Sequence, residues 1–573
     1  METRLKNAAI AGYERVAAWA DLLDDINVYP VPDADTGRNL KISLAPIKEI
    51  LNDNGQITGQ LLRTATGNSG NIAAAFFSEF LSVQSAAQLP QKVASGNRKA
   101  WASIAGPQPG TMLTVFENLS QTLDGPTGEA ATPAPAEIIN TLVEAVNATP
   151  DLLPALKEAG VVDSGALGMF LFFEGFFRTL YEEDPAFISL PETFGSKLRL
   201  QKIPAGPKPD EVCINTLIKT NEDSTELSRK LQAVGNSVVT VQDGDHLKIH
   251  LHSQDLDNVR RKLQSWGDLV EWGAETIQAA PPAATTRTES ETVHIVTDAA
   301  GSITRQTADR LGISLMDSYI ITGNRACPET AVAPETLYEH MRAGRRISTA
   351  QASIFERHQS YESLCSRFAQ IVYLCVGSAY TGIYPAAKNW QANQASTGGM
   401  TVLDSGAASG RLGLVAMAVA EFANQGKPLA QVIAYAEAAF EKCSELVFLD
   451  QLKYLAAGGR ISKTGGFFGD LIGVKPIISP LAEGVKKIGV VRKNTRQLPL
   501  ALEYFASRID SESNARILLQ YTDNRDRVNA EIQPAIQSAF PQAKITLTPL
   551  SLTSGVHMGP GTWGMAMLPE VAR

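Results

Sequence analysis

Cysteine is scarce in this chain, which has five cysteines in 573 residues. They are odd in number and widely scattered: Cys213, Cys327, Cys365, Cys375 and Cys443. Small disulfide-stabilised domains carry even, closely spaced sets of cysteines, and this chain has no such set. The cysteine content therefore excludes a disulfide framework and favours a reducing compartment.

Three further features are missing. No run of 18 or more apolar residues occurs, and the N-terminal stretch METRLKNAAIAGYERVAAWADLL has no unbroken apolar core of the signal-peptide kind. Basic residues do not predominate, since the formal net charge is −9, so nucleic acid is not expected as a partner. The Walker P-loop pattern GxxxxGK followed by Ser or Thr is absent. We expect a cytoplasmic protein without stable membrane insertion.

The chain is long enough for several domains, because single hydrophobic cores stop growing well below 573 residues. Helix-period apolar patterns recur over residues 1–200, separated by glycine-rich polar loops. Residues 205–280 alternate like strands, with two helical segments between them, which predicts a small α+β domain. The Pro/Ala/Thr-rich residues 281–291 are typical of a linker. Residues 292–573 alternate apolar strands with helices, which predicts an α/β domain with a mostly parallel sheet.

Two aspartates stand on either side of one alanine in the stretch NVYPVPDADTGRNL. The carboxylates of Asp33 and Asp35 repel each other unless a cation is near, and Mg²⁺ prefers one or two carboxylates with phosphates and water. The loop ATGNSGN runs into a helix, where N–H groups and the Ser69 hydroxyl suit an anion. Together the two stretches predict a magnesium–nucleotide site. Each alone is also explained as an ordinary turn or helix cap.

A second set of candidate ligands lies in the α+β segment. The strand HLKIHLHS places His250 and His252 on one face, because side chains alternate along a strand. With Cys213 they make three ligands of the kind that bind Zn²⁺. The alternative is a strand with two half-exposed histidines and a buried cysteine, since no fourth ligand is recognisable. Spacing alone leaves both interpretations open.

Small, glycine-rich polar loops recur beside apolar runs in the last 280 or so residues, among them RISTAQAS, CVGSAYTGIY, GGRISKTGG and SGVHMGPGTWG. They predict a polar cluster at the mouth of an apolar cavity, suited to an amphiphile with a small anionic head. Each residue also has an ordinary explanation. Thr349 and Ser378 are then helix caps, Arg460 is a surface charge and His557 is a loop histidine.

Four loops occur in a fixed order in the helical segment: VYPVPDADTGRN, GNSG, GTMLTV and AGVVDSGALG. In this the segment resembles the kinase domain of bacterial fatty acid kinases, a relative of the nucleotide-binding L subunit of dihydroxyacetone kinase. The resemblance implies an all-α helical barrel that binds ATP through Mg²⁺ held by Asp33 and Asp35. Asn27 stands where dihydroxyacetone kinases have a third acid. The nucleotide contacts implied by the resemblance are Asn39, Asn68, Ser69, Gly70, Thr111, Asp163 and Gly165.

The α+β segment resembles the middle domain of fatty acid kinases, in which a cysteine and a His-x-His pair bind a metal. The resemblance implies that Cys213, His250 and His252 hold Zn²⁺. The role implied for this metal is structural or interfacial.

Residues 292–573 resemble the DegV family of fatty-acid-binding proteins along their whole length. The resemblance implies a buried acyl chain whose carboxylate is held by the hydroxyls of Thr349 and Ser378, near His557. It also implies that Arg460 faces the phosphate or the kinase partner.

Two residues depart from the DegV pattern, which has serine hydroxyls at both positions. They are Ala350, next to Thr349, and Gly377, next to Ser378. The carboxylate site is therefore expected to be less polar than in other members of the family.

Taken together, the resemblances imply a single-chain fatty acid kinase that phosphorylates the carboxylate of a bound long-chain fatty acid and yields an acyl phosphate. Its candidate catalytic residues are Asp33, Asp35, Arg460 and His557. A homodimer and a downstream acyltransferase that uses acyl phosphate for phospholipid synthesis are the expected partners. Two alternatives stay open: a lipid-binding regulatory or scaffold protein with an inactive kinase domain, and a dihydroxyacetone-type kinase acting on a small polyol.

Overall fold

The chain folds into two compact units. The computed structural model describes residues 1–53, 55–124, 134–182, 187–202, 206, 210–277, 292–393, 399–457, 474–509 and 512–571. Unit 1 comprises Met1–Thr286 with the short stretches Asn324–Ala326 and Phe355–Ser363. Unit 2 comprises Arg287–Gly323, Cys327–Ile354 and Leu364–Arg573. The linker expected at 281–291 lies outside the described residues.

Unit 1 begins with a helical region, as its apolar periodicity predicts. The α-helices of this region are α1 (Thr3–Ala18), α2 (Ala20–Asp25), α3 (Thr36–Ser43), α4 (Ile57–Thr64), α5 (Gly67–Phe80), α6 (Leu89–Ala102), α7 (Met112–Leu123), α8 (Pro135–Leu152), α9 (Pro154–Ala159), α10 (Ser164–Tyr181) and α11 (Leu190–Phe194).

Helix α10 is the centre of the helical region. Its sequence is apolar almost all round, and nearly every residue is buried, as expected of a core helix. The helix starts after Asp163, whose carboxylate accepts the N–H of Ala166 at 2.7 Å. Glycines let α10 approach α1 closely. A Cβ on Gly12 of α1 would lie 2.6 Å from the carbonyl oxygen of Phe172, which no real side chain tolerates without movement.

The α+β segment forms an antiparallel sheet with two helices on one face. Its elements are β1 (Val212–Lys219), α12 (Ser224–Leu231), β2 (Asn236–Asp243), β3 (His246–Ser253), α13 (Leu256–Trp266) and β4 (Asp268–Thr276), with strand order β2-β3-β1-β4. One face packs Ile214, Ile218 and Leu251 against α12 and α13. On the other face, Leu217 and Val241 pack with residues of α4 and α5. This second face therefore forms part of the wall of the helical region.

Strand β4 was not predicted from the sequence. Its residues DLVEWGAET include three acidic residues that interrupt the apolar alternation. The interruption has a structural reason, because β4 is an edge strand with mostly exposed or half-buried side chains.

The C-terminal segment is α/β, as predicted. Its strands are β5 (His294–Asp298), β6 (Ile313–Met316), β7 (Ser318–Thr322), β8 (Arg325–Pro328), β9 (Ile347–Gln351), β10 (Ile371–Cys375), β11 (Met400–Asp404), β12 (Ser444–Phe448), β13 (Lys475–Leu481), β14 (Gly484–Val491), β15 (Arg516–Tyr521), β16 (Lys544–Pro549) and β17 (Trp563–Leu568). Its helices are α14 (Arg305–Leu311), α15 (Pro334–Arg342), α16 (Ile354–Arg367), α17 (Ile383–Asn393), α18 (Ser409–Ala423), α19 (Leu429–Lys442), α20 (Lys453–Ala457), α21 (Gln497–Ala506), α22 (Arg525–Arg527), α23 (Gln533–Ala539) and α24 (Leu552–Met558).

The prediction of one mostly parallel sheet is wrong for much of this segment. The sheet β11-β10-β5-β6 is parallel throughout. The six-stranded sheet β14-β13-β12-β17-β15-β16 is antiparallel except for the pair β15 and β16. Strands β13 and β14 show why, since only Ala482 and Glu483 separate them, and so short a connection permits only an antiparallel hairpin.

A buried carboxylate fixes the start of α18 in unit 2. Glu445 of β12 accepts the Ser409 hydroxyl at 2.5 Å and the N–H groups of Gly410 and Arg411 at 3.0 and 2.8 Å. It thereby caps N–H groups that have no partner within the helix.

No helix in the described part of the chain combines the length and the apolar character that crossing a membrane requires.

Candidate active site

A cavity of about 260 Å³ lies within unit 1, where the helical region meets the sheet of the α+β segment. Residues from four predicted loops and from two strands line it. Of the predicted site residues, the lining includes Asp33, Asp35, Asn68, Ser69, Thr111, Asp163, Gly165, His250 and His252. The structure thus brings most of the predicted nucleotide residues and two of the predicted zinc ligands to one cavity.

Asp33 and Asp35 stand at the start of α3, on either side of Ala34, whose φ is +52°. Asp35 is the residue before the helix, yet its side chain makes no capping hydrogen bond. Burial, together with the charge and hydrogen bond of Asp35, raises the pKa of Asp33 to about 8. Two neighbouring acids that resist being ionised at the same time indicate a site that lacks positive charge. Their carboxylate oxygens are donors of the type that fits Mg²⁺.

Asn27 orients the first of these aspartates, Asp33. Its buried side chain donates to the Asp33 carboxylate at 2.7 Å and accepts the Thr36 hydroxyl at 3.0 Å. The Ser164 hydroxyl, at the start of α10, donates to the same Asn27 oxygen at 3.4 Å. Asn27 therefore links the aspartate turn to α10.

The GNSG loop begins α5 at Gly67, which has a φ of +63° and so suits glycine. The buried Ser69 hydroxyl donates to the backbone oxygen of Thr36 at 3.4 Å. The other two predicted residues of this region, Asn39 and Gly70, are buried and do not line the cavity. A Cβ on Gly70 would lie 2.1 Å from the Ser43 hydroxyl, and a Cβ on Gly67 would lie 2.0 Å from the Asn39 amide nitrogen. Asn39 and Gly70 support the loop by close packing.

Two further helix starts border the cavity. Thr111 precedes α7 and accepts the N–H of Leu113 at 3.3 Å. Asp163 precedes α10, and burial raises its pKa to about 7. At neutral pH Asp163 is therefore only partly ionised, unlike an exposed aspartate. Helix N-termini of this kind attract anions.

Cys213, His250 and His252 lie close together on facing strands. In the antiparallel register Cys213 of β1 is opposite His252 of β3, and Asn215 is opposite His250. The ligand atoms of the three predicted residues lie within 4.8 Å of one another. The prediction placed His250 and His252 on one face of a strand, and the register of β1 and β3 explains why Cys213 meets them.

The chemistry of the triad fits Zn²⁺. Burial lowers the pKa of His250 and of His252, so both imidazoles are neutral at pH 7 and able to ligate. His250 Nε2 and His252 Nδ1 are buried without a hydrogen-bond partner among the described residues. Burial and the Asp35 charge raise the pKa of Cys213 to about 12. A cation of the zinc type satisfies the two nitrogens and stabilises the thiolate.

Three polar residues at the site were not predicted from the sequence: Thr36, Ser164 and Asn215. Thr36 and Ser164 each directly follow a predicted aspartate, so adjacency within the motif was the available signal. Asn215 follows Cys213 by two residues, which places both on one face of β1. Its role depends on contacts with the helical region that no local pattern reveals.

In unit 2 the structure brings Thr349 and His557 together. The Thr349 hydroxyl on β9 lies 3.3 Å from His557 Nε2 on α24. Ser378 is on a separate, exposed loop after β10, where its backbone N–H donates to the Asp404 carboxylate at 3.0 Å. Arg460 lies outside the described residues.

Close packing of the backbone explains why position 377 is a glycine and not a serine. The N–H of Gly377 donates to the backbone oxygen of Ala407 at 2.8 Å. A Cβ at this position would lie only 2.8 Å from the Ala407 nitrogen. The backbone of residues 406 and 407 therefore occupies the space that a serine side chain would need.

Helix α24, which carries His557, is attached to a buried carboxylate. Glu329 accepts the N–H of Thr553 at 2.8 Å and the Thr553 hydroxyl at 2.6 Å. Burial, with a smaller contribution from Asp317, raises the pKa of Glu329 from its ordinary 4.5 to about 7. Glu329 is thus protonated over part of the range in which an exposed glutamate is charged.

This carboxylate predicts a pH-dependent stability. The folded state keeps the proton of Glu329 to a higher pH, so the stability it contributes is full below about 4.5 and is lost as pH rises through about 7. Glu329→Gln keeps a neutral side chain. We expect its thermal midpoint to match wild type near pH 5 and to exceed it near pH 8 by about 5 °C.

Calorimetry of both proteins at the two pH values checks this, with the exposed Glu335→Gln as the matched control. The control is expected to follow wild type at both pH values. A difference between Glu329→Gln and wild type that does not change with pH would contradict the raised pKa.

The two units define a class: a multidomain protein with paired carboxylates in a helical domain, a Cys–His–His triad on a small α+β domain and an α/β domain. Three family models match the chain: the DAK2 domain over residues 30–178, the FakA-like middle domain of fatty acid kinase over 211–280, and the uncharacterised protein of the DegV family over 292–570. The chain therefore joins a DAK2 domain, a FakA-like fatty acid kinase middle domain and a DegV domain in one polypeptide. This confirms the domain resemblances.

Curated relatives match part of the chain. An uncharacterized protein of Staphylococcus epidermidis (strain ATCC 12228 / FDA PCI 1200) is 28% identical over 304 residues, covering 47% of this chain and 54% of that protein. An uncharacterized protein of Staphylococcus aureus (strain USA300) is 27% identical over 301 residues, with the same coverage. The chain spans about half the length of these relatives.

Solved structures of DegV proteins also match. A fatty-acid-binding DegV family protein from Thermus thermophilus has a TM-score of 0.46 and 22% identity, covering 49% of this chain and all of that chain. DegV from Bacillus subtilis, described as a fatty acid binding protein, has a TM-score of 0.45 and 20% identity, with the same coverage.

Proposed function

We propose that the chain is a single-chain fatty acid kinase. It transfers the γ-phosphate of ATP to the carboxylate of a fatty acid held by the DegV domain. The observation that carries the proposal is the cavity in unit 1, where two carboxylates stand beside the loop that starts α5. The same chain carries a FakA-like fatty acid kinase middle domain and a DegV domain, which supports a fatty acid as the acceptor.

On the nucleotide side, Asp33 and Asp35 would hold the metal, and Asn27 keeps Asp33 in place through its 2.7 Å hydrogen bond. Mg²⁺, when bound, supplies positive charge that neutralises the β- and γ-phosphates. Ser69 and the N–H groups at the start of α5 would contact the phosphates. The helix starts at Thr111 and Asp163 complete this wall of the cavity.

On the acceptor side, the Thr349 hydroxyl and His557 Nε2 converge at 3.3 Å and would hold the fatty acid carboxylate. Ser378 remains a further candidate on its own loop. Arg460 remains a candidate for contact with the incoming phosphate. The accompanying proposals are a homodimer and a downstream acyltransferase that consumes the acyl phosphate.

The reaction needs positioning more than proton transfer. A carboxylate oxygen of the fatty acid forms a bond to the γ-phosphorus while the bond to the β,γ-bridging oxygen breaks, and ADP leaves with the electron pair. No proton moves, because a carboxylic acid is ionised at neutral pH. No general base is therefore required, and the residues act by binding and by charge.

The test is ADP release by the purified protein with Mg²⁺-ATP, measured with and without oleate or palmitate. We expect the fatty acid to raise the rate at least about ten-fold, because the acceptor is otherwise water. Lipid binding without stimulated ADP release would favour a regulatory or scaffold protein instead. Stimulation by dihydroxyacetone and not by oleate would favour a small-polyol kinase.

A further inference from the structure

Asn215 is the residue through which the Cys–His–His triad contacts the GNSG loop. Its Oδ1 accepts the backbone N–H of Gly67 at 3.2 Å and lies 3.0 Å from His250 Nδ1. Its Nδ2 donates to Cys213 Sγ at 3.3 Å. One carboxamide thus contacts two of the three triad residues and the first residue of α5.

The orientation of this carboxamide follows from its partners. The Gly67 N–H is a donor only, so it faces the oxygen of Asn215, and the nitrogen of Asn215 faces the sulfur. A carbonyl oxygen has two lone pairs, so it also accepts from His250 when Nδ1 carries the proton. The lone pair of His250 is then on Nε2, the buried nitrogen without a hydrogen-bond partner in the described residues.

The contact with Gly67 also matters for the loop. Gly67 has a left-handed backbone conformation, with φ +63°, and its N–H is occupied by Asn215. The direction of the following N–H groups, those of Asn68 and Ser69, depends on how Gly67 is held. Both residues line the cavity that His250 and His252 also line.

We propose that Asn215 is a positioning residue that couples metal binding in the triad to phosphate binding at the GNSG loop. The inference rests on the proposed function in taking ATP as the ligand of the loop. Occupation of the triad fixes His250 and Cys213, these fix the carboxamide of Asn215, and the carboxamide fixes Gly67. Because coupling between two ligands is reciprocal, ATP tightens zinc binding by the same factor by which zinc tightens ATP binding.

The test uses the full chain and Asn215→Leu, which keeps the size of the side chain and removes both hydrogen-bonding groups. Zinc affinity is measured by competition with a chelator, and Mg²⁺-ATP affinity by calorimetry with zinc present and after its removal. In wild type we expect zinc to tighten ATP binding about five-fold or more. In Asn215→Leu we expect zinc affinity about ten- to a hundred-fold weaker, and a zinc effect on ATP affinity near one-fold.

Thr216→Val is the matched control, because the Thr216 hydroxyl is on the opposite face of β1, where it donates to the backbone oxygen of Glu271. It is expected to keep the wild-type zinc effect on ATP binding. Asn215→Ala provides a second variant, with the same expected loss of coupling, where the leucine fails to fold. A wild-type coupling factor in either Asn215 variant, or no zinc effect on ATP binding in wild type, overturns the inference.

These binding measurements need no fatty acid. The inference can therefore fail while oleate-stimulated ADP release stands. Equally, coupled zinc and ATP binding without any oleate effect would leave the inference standing and remove the proposed acceptor.

Discussion

Asp35→Ala is expected to lower oleate-stimulated ADP release by about a hundred-fold or more, because the variant loses one of the two carboxylates proposed to hold the metal against the phosphates. The fold is expected to survive. Asp35 makes no capping hydrogen bond to α3, and its removal relieves the repulsion that, together with the larger effect of burial, raises the pKa of Asp33. We therefore expect an unfolding midpoint equal to or above that of wild type. Steady-state ADP release and calorimetry on one preparation check both results.

The matched control is Asp151→Ala on α8, where the carboxylate is exposed and only 3.8 Å from a surface lysine. Surface pairs of this kind contribute little, so turnover and midpoint should stay at wild-type values. Full turnover in Asp35→Ala would show that this carboxylate does not hold the metal. Loss of turnover together with a lower midpoint would point to misfolding instead.

Cys213→Ala is expected to reduce bound zinc from about one ion per chain to below about a tenth. The loss is large because the thiolate is the only anionic ligand of the triad, and two neutral imidazoles alone bind zinc far more weakly. Both imidazoles are buried, whereas the cysteine is half-buried. Metal analysis of protein purified with zinc, followed by dialysis, measures the stoichiometry.

Cys327→Ala is the control, since this cysteine is half-buried like Cys213 and lies outside the triad. It should retain wild-type zinc. Equal zinc content in wild type and Cys213→Ala would remove the triad as a metal site. Zinc absent from both, after purification with the metal, would do the same.

The helix ends at the site were predictable from the sequence. Asp33, Thr111 and Asp163 each stand in a short polar segment just before a helix, and Ser69 stands in the first turn of α5. Turn residues mark such boundaries. Residues from all four of these segments line the cavity.

The far wall of the cavity was not predictable. The hydrogen bond from Gly67 to Asn215 joins residues 148 positions apart, and no local pattern encodes that contact. His250 and His252 line the same cavity as Asp35, and this depends on how the sheet packs on α5. The resemblance of the α+β segment implied only a structural or interfacial role for the triad. Its position on the cavity supports a role closer to the phosphates.

Edge strands and hairpins account for the other differences between the fold predicted from the sequence and the fold of the structure. β4 was missed because an exposed edge carries charges that break the alternation. The sequence predicts more parallel strands than the structure has, because apolar strands of parallel and antiparallel sheets look alike in sequence. The two-residue turn before Gly484 is the feature that marks the antiparallel hairpin.

The most direct test of the central claim is detection of the product. The purified chain is incubated with Mg²⁺-ATP and oleate, the acyl phosphate is trapped with hydroxylamine, and the acyl hydroxamate is measured by mass spectrometry. The account predicts hydroxamate in proportion to ADP, and none from Asp35→Ala. ADP formed without hydroxamate, or hydroxamate undiminished in Asp35→Ala, would contradict it.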